Sequence, residues 1–138
     1  MEIKNWRDTS PQIVHDYGIE WVIFVRKNAD AVSHSKKWNY EKPISWGAAC
    51  MENLEFLEYH MLQPGGKLEE HTNDHYEEIY YILKGSGIML VDKKEYEIKQ
   101  DDAIYIPKTV IHGIINNTQD FINYLVISAG EKHPDESI

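Results

Sequence analysis

The chain has a single cysteine, Cys50, among its 138 residues. One thiol cannot close an internal disulfide, which excludes a cystine-stapled fold and fits a reducing, cytoplasmic setting. Cys50 ends a run of small residues, Gly47-Ala48-Ala49-Cys50, and reads as core packing at a strand start rather than as a reactive thiolate. Long apolar runs are also missing. The longest, near Trp21-Val22-Ile23-Phe24-Val25, falls far short of the roughly 20 residues of a membrane helix. Met1-Glu2-Ile3-Lys4-Asn5 does not resemble a secretory leader. Positive charge is scarce, with 14 Lys and Arg against 23 Asp and Glu and a net charge of −9. Such a surface repels phosphate backbones and anionic lipids, so neither nucleic acid nor a membrane is expected as a partner. There is no phosphate-cradling glycine loop, no dinucleotide fingerprint and no nucleophile triad placed by its spacing.

What is present is enough for one small domain. Hydrophobic residues make up 42% of the chain, sufficient to bury a core at this length. No long window carries apolar residues at i, i+3, i+4 and i+7, so helices are not expected. The chain reads instead as short strands separated by turn residues. Glu78-Ile79-Tyr80-Tyr81-Ile82-Leu83 is β-branched and aromatic and ends at Lys84-Gly85-Ser86-Gly87. Ile88-Met89-Leu90-Val91 follows, then the turn Asp92-Lys93-Lys94, then Tyr96-Glu97-Ile98 and Ile104-Tyr105-Ile106 around Gln100-Asp101-Asp102. Close spacing of this kind predicts an all-β sandwich or barrel.

The chemistry-bearing residues concentrate at His71-Thr72-Asn73-Asp74-His75-Tyr76-Glu77-Glu78, and continue at Pro107, His112 and Asn116. Imidazole nitrogen together with carboxylate oxygen suits Fe, Mn, Ni, Cu or Zn, whereas calcium and magnesium favour oxygen alone. Glu78 opens an apolar strand, where a buried carboxylate needs a partner, and a metal is the partner expected. Pro107 and Asn116 read as turn-forming rather than ligand-binding.

These residues carry a resemblance. The segment 64–127 resembles a small single-domain cupin. Gly65, His71, Glu78 and Gly85 stand at the places of that family's first motif, with Asn73 where a second histidine is usual. Pro107, His112 and Asn116 match the second motif, with Asp101 and Thr109 where glycines are usual, and fifteen residues separate the two motifs. The resemblance implies a jelly-roll barrel (a double-stranded β-helix) with one divalent transition metal held inside it. The metal would bind His71, Asn73, Glu78 and His112, with His75 as the alternative donor if the Asn73-Asp74 turn swings it inward. Without Asn73 the set is two histidines and one carboxylate with open positions, the facial pattern of non-haem iron oxygenases. Tyr80 and Ile82 share the strand parity of Glu78, so both should line the cavity, with Tyr80 as a hydrogen-bond donor or general acid.

The chain divides on this reading into an arm and edge strand over 1–46, a barrel over 47–130 and a polar tail over 131–138. All four tryptophans, Trp6, Trp21, Trp38 and Trp46, lie in the first part. That arm should cover the barrel's edge, and strand exchange in a homodimer is a natural version of that cover. The stretch 33–40, with His34, Lys36 and Lys37, could alternatively form a lid that meets an anionic substrate. Two functions follow: an oxygenase, lyase or isomerase acting on a small polar substrate, or a non-catalytic barrel that binds a small molecule or metal.

Overall fold

The computed structural model describes residues 5–14, 16–26, 48–50 and 54–130. A short 3-10 turn, Trp6–Asp8, leads into ten strands: β1 Gln12–Val14, β2 Asp16–Arg26, β3 Ala48–Cys50, β4 Leu54–His71, β5 Tyr76–Lys84, β6 Ser86–Val91, β7 Lys94–Lys99, β8 Ala103–Ile106, β9 His112–Ile115 and β10 Ile122–Gly130. No α-helix occurs among the described residues, and none of their helices could cross a membrane. The strands expected from Glu78, Ile88, Tyr96 and Ile104 onward are all present, each a residue or more longer than its apolar kernel.

The sheet runs in the order β7-β6-β9-β4-β10-β5-β8, with β2 joined to β4, and β1 and β3 joined to β2. β4 makes this curl possible. Its first half pairs with β10, from Leu54↔Ala129 to Leu62↔Ile122, while its second half pairs with β9, ending at His71↔His112. Between the halves, Gly65 adopts φ +79, a left-handed conformation natural to glycine, and the strand passes from one side of the barrel to the other. Asn116 clamps the crossing. Its side-chain amide donates to the carbonyls of Leu62, Gln63 and Asp120 at 3.0, 3.0 and 2.8 Å, and its Oδ1 accepts from Thr118.

Strand alternation sorts the side chains. Phe56, Leu62, Leu68, Tyr80, Ile82, Met89, Ile98, Ile106, Ile114, Ile122, Tyr124 and Val126 form one continuous core. Outside, Trp6 stacks on Tyr59 with ring centroids 4.4 Å apart, and Trp21 meets both edge-on. This cover explains why the first half of β4 is buried on both faces. The candidate lid at 33–40, Trp38, Trp46 and the tail at 131–138 lie outside the described residues.

Candidate metal centre

Three strands and one turn converge on Glu78. The strand β5 points Glu78 inward together with Tyr80 and Ile82, as its alternation requires, and leaves Glu78 3% exposed. His71 closes β4, and His112 opens β9 directly opposite it in register. The rings of His71 and His112 are 4.3 Å apart. One donor atom from each of His71, Glu78 and His112 can be chosen so that all three lie within 4.8 Å of one another.

The orientation of the two imidazoles is set by the backbone. His71 Nδ1 lies 2.8 Å from the Glu69 carbonyl, and His112 Nδ1 lies 2.9 Å from the Val110 carbonyl. A carbonyl only accepts, so each Nδ1 carries a hydrogen and donates it. His112 Nε2 is then left facing Glu78 Oε1 at 2.9 Å. A lone pair set against a carboxylate oxygen is repulsive unless a proton or a cation lies between them. Backbone carbonyls that hold Nδ1–H and aim Nε2 inward are the outer support that metal-binding histidines usually have. The donor chemistry of this trio therefore fits a divalent transition metal.

Glu78 is held by further groups. Its Oε1 accepts from Asn73 Nδ2 at 2.8 Å and from the Tyr80 hydroxyl at 3.4 Å, and its Oε2 accepts from Ser128 Oγ at 2.8 Å. Burial raises its proton affinity. The hydrogen bonds from His112 and Ser128, with the charges of both imidazoles, outweigh that and hold the carboxyl below its ordinary value. Tyr80 is pushed the other way: burial, then the Glu78 charge, lifts its phenol well above 10.0. Tyr80 consequently donates to Glu78 as a neutral phenol, and such a high value makes it a poor general acid.

Asn73 arrives by a route that differs from the expected one. Strand parity with His71 does not place it, because β4 ends at His71 and 72–75 are not in a strand. Asn73 instead reaches Glu78 from this loop, where its own carbonyl accepts from Thr109 N at 2.8 Å. His75 is exposed and outside the donor trio. A cleft of about 400 Å³ opens nearby between β7 and β8, the two ends of the sheet path. Its wall includes Met89, Val91 and Ile104, and Val91 is the register partner of His112.

A second inward-facing cluster, Glu20, Glu58 and His60, was not anticipated from the sequence. The signal available was Glu20 itself, one carboxylate inside the apolar run Ile19 to Val25, where an isolated charge demands a partner. Nothing in the spacing said that the partners would come from β4. Tyr124 and Ser128 were likewise missed, since each looks like ordinary strand filling.

Several known proteins are similar to this chain. Over 52 residues it is 46% identical to an uncharacterized protein, MJ1618, of Methanocaldococcus jannaschii, a match spanning 38% of this chain and 42% of that protein. Among solved structures, a predicted oxalate decarboxylase from Thermotoga maritima aligns with a TM-score of 0.68 at 17% identity, covering 94% of this chain and all of that one. KdgF from a Halomonas species gives 0.66 at 12% identity over 98% of this chain and 97% of its own. The polyketide cyclase RemF from Streptomyces resistomycificus gives 0.66 at 18% identity over 97% and 82% respectively. At these identities the likeness establishes the shared fold. A family model described as Cupin domain matches residues 58–128, just over half of the chain and including both motifs, and the chain accordingly belongs to the cupin family.

Proposed function

We propose that this protein is a metal-dependent small-molecule enzyme whose centre is His71, Glu78 and His112, with Asn73 beside them and His75 at the rim. The observation that carries the reading is the pair of backbone-held imidazoles, each donating Nδ1–H to a carbonyl, with His112 Nε2 directed at a buried carboxylate. A divalent Fe, Mn, Ni, Cu or Zn bound there would supply Lewis acidity toward a substrate oxygen, or a site for dioxygen if the metal were iron. The chain's own residues do the rest. Asn73 and Ser128 orient Glu78, Ser128 also favours its ionised form, and Tyr80 contacts Oε1. The core around Ile106, Ile114 and Val126 limits access of bulk water. The cleft between β7 and β8 has a volume suited to a small molecule, and oxygenase, lyase and isomerase chemistry are all compatible with the donor set.

The competing reading is a barrel that binds a small molecule or metal without turning it over. It is favoured by Glu78, whose two oxygens already accept from Asn73, Tyr80 and Ser128. A homodimer in a cytoplasmic setting is part of the same proposal, and sedimentation equilibrium decides the first of these. The exposed row of Ile79, Tyr81, Tyr105 and Ile127 on β5, β8 and β10 supports it.

The test is elemental analysis of protein purified without added metal, alongside His71→Ala, Glu78→Gln, His112→Ala, Asn73→Ala and His75→Ala. The ion at this centre should be lost in the first three, held more weakly in Asn73→Ala and unchanged in His75→Ala. Full retention in both His112→Ala and Glu78→Gln would end the reading. Water-proton relaxation with Mn(II) then separates the two functions, because an enzyme needs exchangeable water on the ion and a closed structural site has none.

A further inference from the structure

We propose that Glu20, Glu58 and His60 form a second divalent-cation site within the barrel, separate from the first and independent of the function assigned to it. Glu58 and His60 lie two apart on β4, on the same inward face as the core residues Phe56 and Leu62. Glu20 on β2 is the register partner of His60. The three are 2%, 2% and 6% exposed.

Their donor atoms converge. His60 Nε2 lies 2.8 Å from Glu58 Oε1 and 3.3 Å from Glu20 Oε2, and all three donor atoms fall within 4.8 Å of one another. Around a metal with bonds of about 2.1 Å, neighbouring ligands are about 3.0 Å apart at a right angle and about 3.4 Å at the tetrahedral angle. The two imidazole–carboxylate distances already have that spacing. A divalent cation carries the charge that matches two carboxylates.

The other nitrogen of His60 gives a second, independent indication. His60 Nδ1 lies 3.2 Å from the hydroxyl of Tyr124, which is buried. This contact fixes the ring with Nε2 toward the carboxylates. When Nε2 binds a metal, Nδ1 carries the hydrogen and donates to the Tyr124 oxygen, the outer support expected of a ligating histidine. One nitrogen and two carboxylates favour Zn, Mn, Fe or Ni over calcium.

The two sites share no ligand. Two phenols lie between them: Tyr80 contacts Glu78, its ring lies 5.8 Å from that of Tyr124, and Tyr124 contacts His60.

Equilibrium dialysis of the metal-stripped full chain against Zn(II), and separately Mn(II), tests the proposal. Wild type should bind two ions, and Glu58→Gln and Glu20→Gln one each. The double variant His71→Ala/His112→Ala should also keep one, and combining it with Glu58→Gln should leave none. Tyr124→Phe should weaken the second ion about 10-fold. In the His71→Ala/His112→Ala background, Zn(II) should raise the melting temperature, and Glu20→Gln should abolish the rise. Glu20 and Glu58 lie on different strands, so a folding defect in one variant leaves the other as a test. One ion lost in His71→Ala/His112→Ala but kept in both glutamine variants overturns this site and leaves the first intact. The opposite pattern supports this site and removes the first, and a wild type that binds no ion removes both.

Discussion

Thr109 occupies φ +66 and Asp101 φ +71, and both stand where the family's second motif has glycine. A β-branched residue in the left-handed region costs about 1–3 kcal/mol, against about 0.5–1 kcal/mol for the extra chain freedom of glycine. Thr109→Gly is therefore expected to stabilise the fold by about 1 kcal/mol in urea titration, while keeping the backbone bond from residue 109 N to the Asn73 carbonyl. A loss of stability would show that the Thr109 side chain does something its bond to the Lys108 carbonyl does not explain. The buried phenols give a second expectation at this scale. Burial, followed by neighbouring carboxylates, raises the proton affinity of Tyr76, and burial does the same for Tyr80 and Tyr124, where Glu78 and Glu20 respectively are the next causes. A group raised in the folded state stabilises fully below its unfolded value, near 10, and loses that contribution as the pH climbs toward the folded value. Stability should consequently fall steeply above about pH 10. Difference absorbance near 295 nm should show these three of the nine tyrosines ionising only with unfolding. Smooth titration of all nine in the folded protein would contradict the buried network.

At the scale of elements, β4 decides where the site lies. It presents Glu58 and His60 from one half and His71 from the other, and the Asn116 clamp holds the bend between them. Asn116 is 1% exposed, and removing its side chain leaves several backbone groups without their partner. Asn116→Ala should cost about 2–4 kcal/mol and weaken metal binding at His71 as well, because the second half of β4 loses its anchor. Chemical denaturation and metal titration measure the two effects, and a stability loss below about 0.5 kcal/mol would contradict the clamp. The strands after Glu78 were legible because each combines β-branched or aromatic residues with a turn residue at its end. The turn at Asp92-Lys93 was equally plain, and both residues take positive φ there. The first half of β4 was less so. Covered outside by Trp6 and Tyr59 packing, it loses the polar alternation that marks a half-buried strand. Strand parity was the expected route for Asn73, but the strand stops two residues earlier and Asn73 reaches Glu78 from the loop.

For the whole molecule, metal binding and folding should be linked. A ligand that binds only the native state stabilises it by about 2.7 kcal/mol at 100 times its Kd, so removing metal with a chelator should lower the melting temperature and adding it back should restore it. That shift should be smaller in His112→Ala and absent when Glu58→Gln is added; a melting temperature indifferent to chelator in wild type would count against both sites. The acidic surface and lack of long apolar runs were open to reading from composition alone, because charge and hydropathy add up without reference to fold. So were the strand periodicity and the two motifs, since local alternation and fixed spacing survive in one dimension. The sequence by itself thus determined an all-β barrel of the cupin family and named His71, Glu78 and His112. Only the tertiary structure could bring Glu20 from β2 against Glu58 and His60, set Ser128 and Asn73 on Glu78, and put Tyr124 behind His60. These contacts join residues up to 64 positions apart through strand register, and register follows from how the whole sheet closes, which no local window contains.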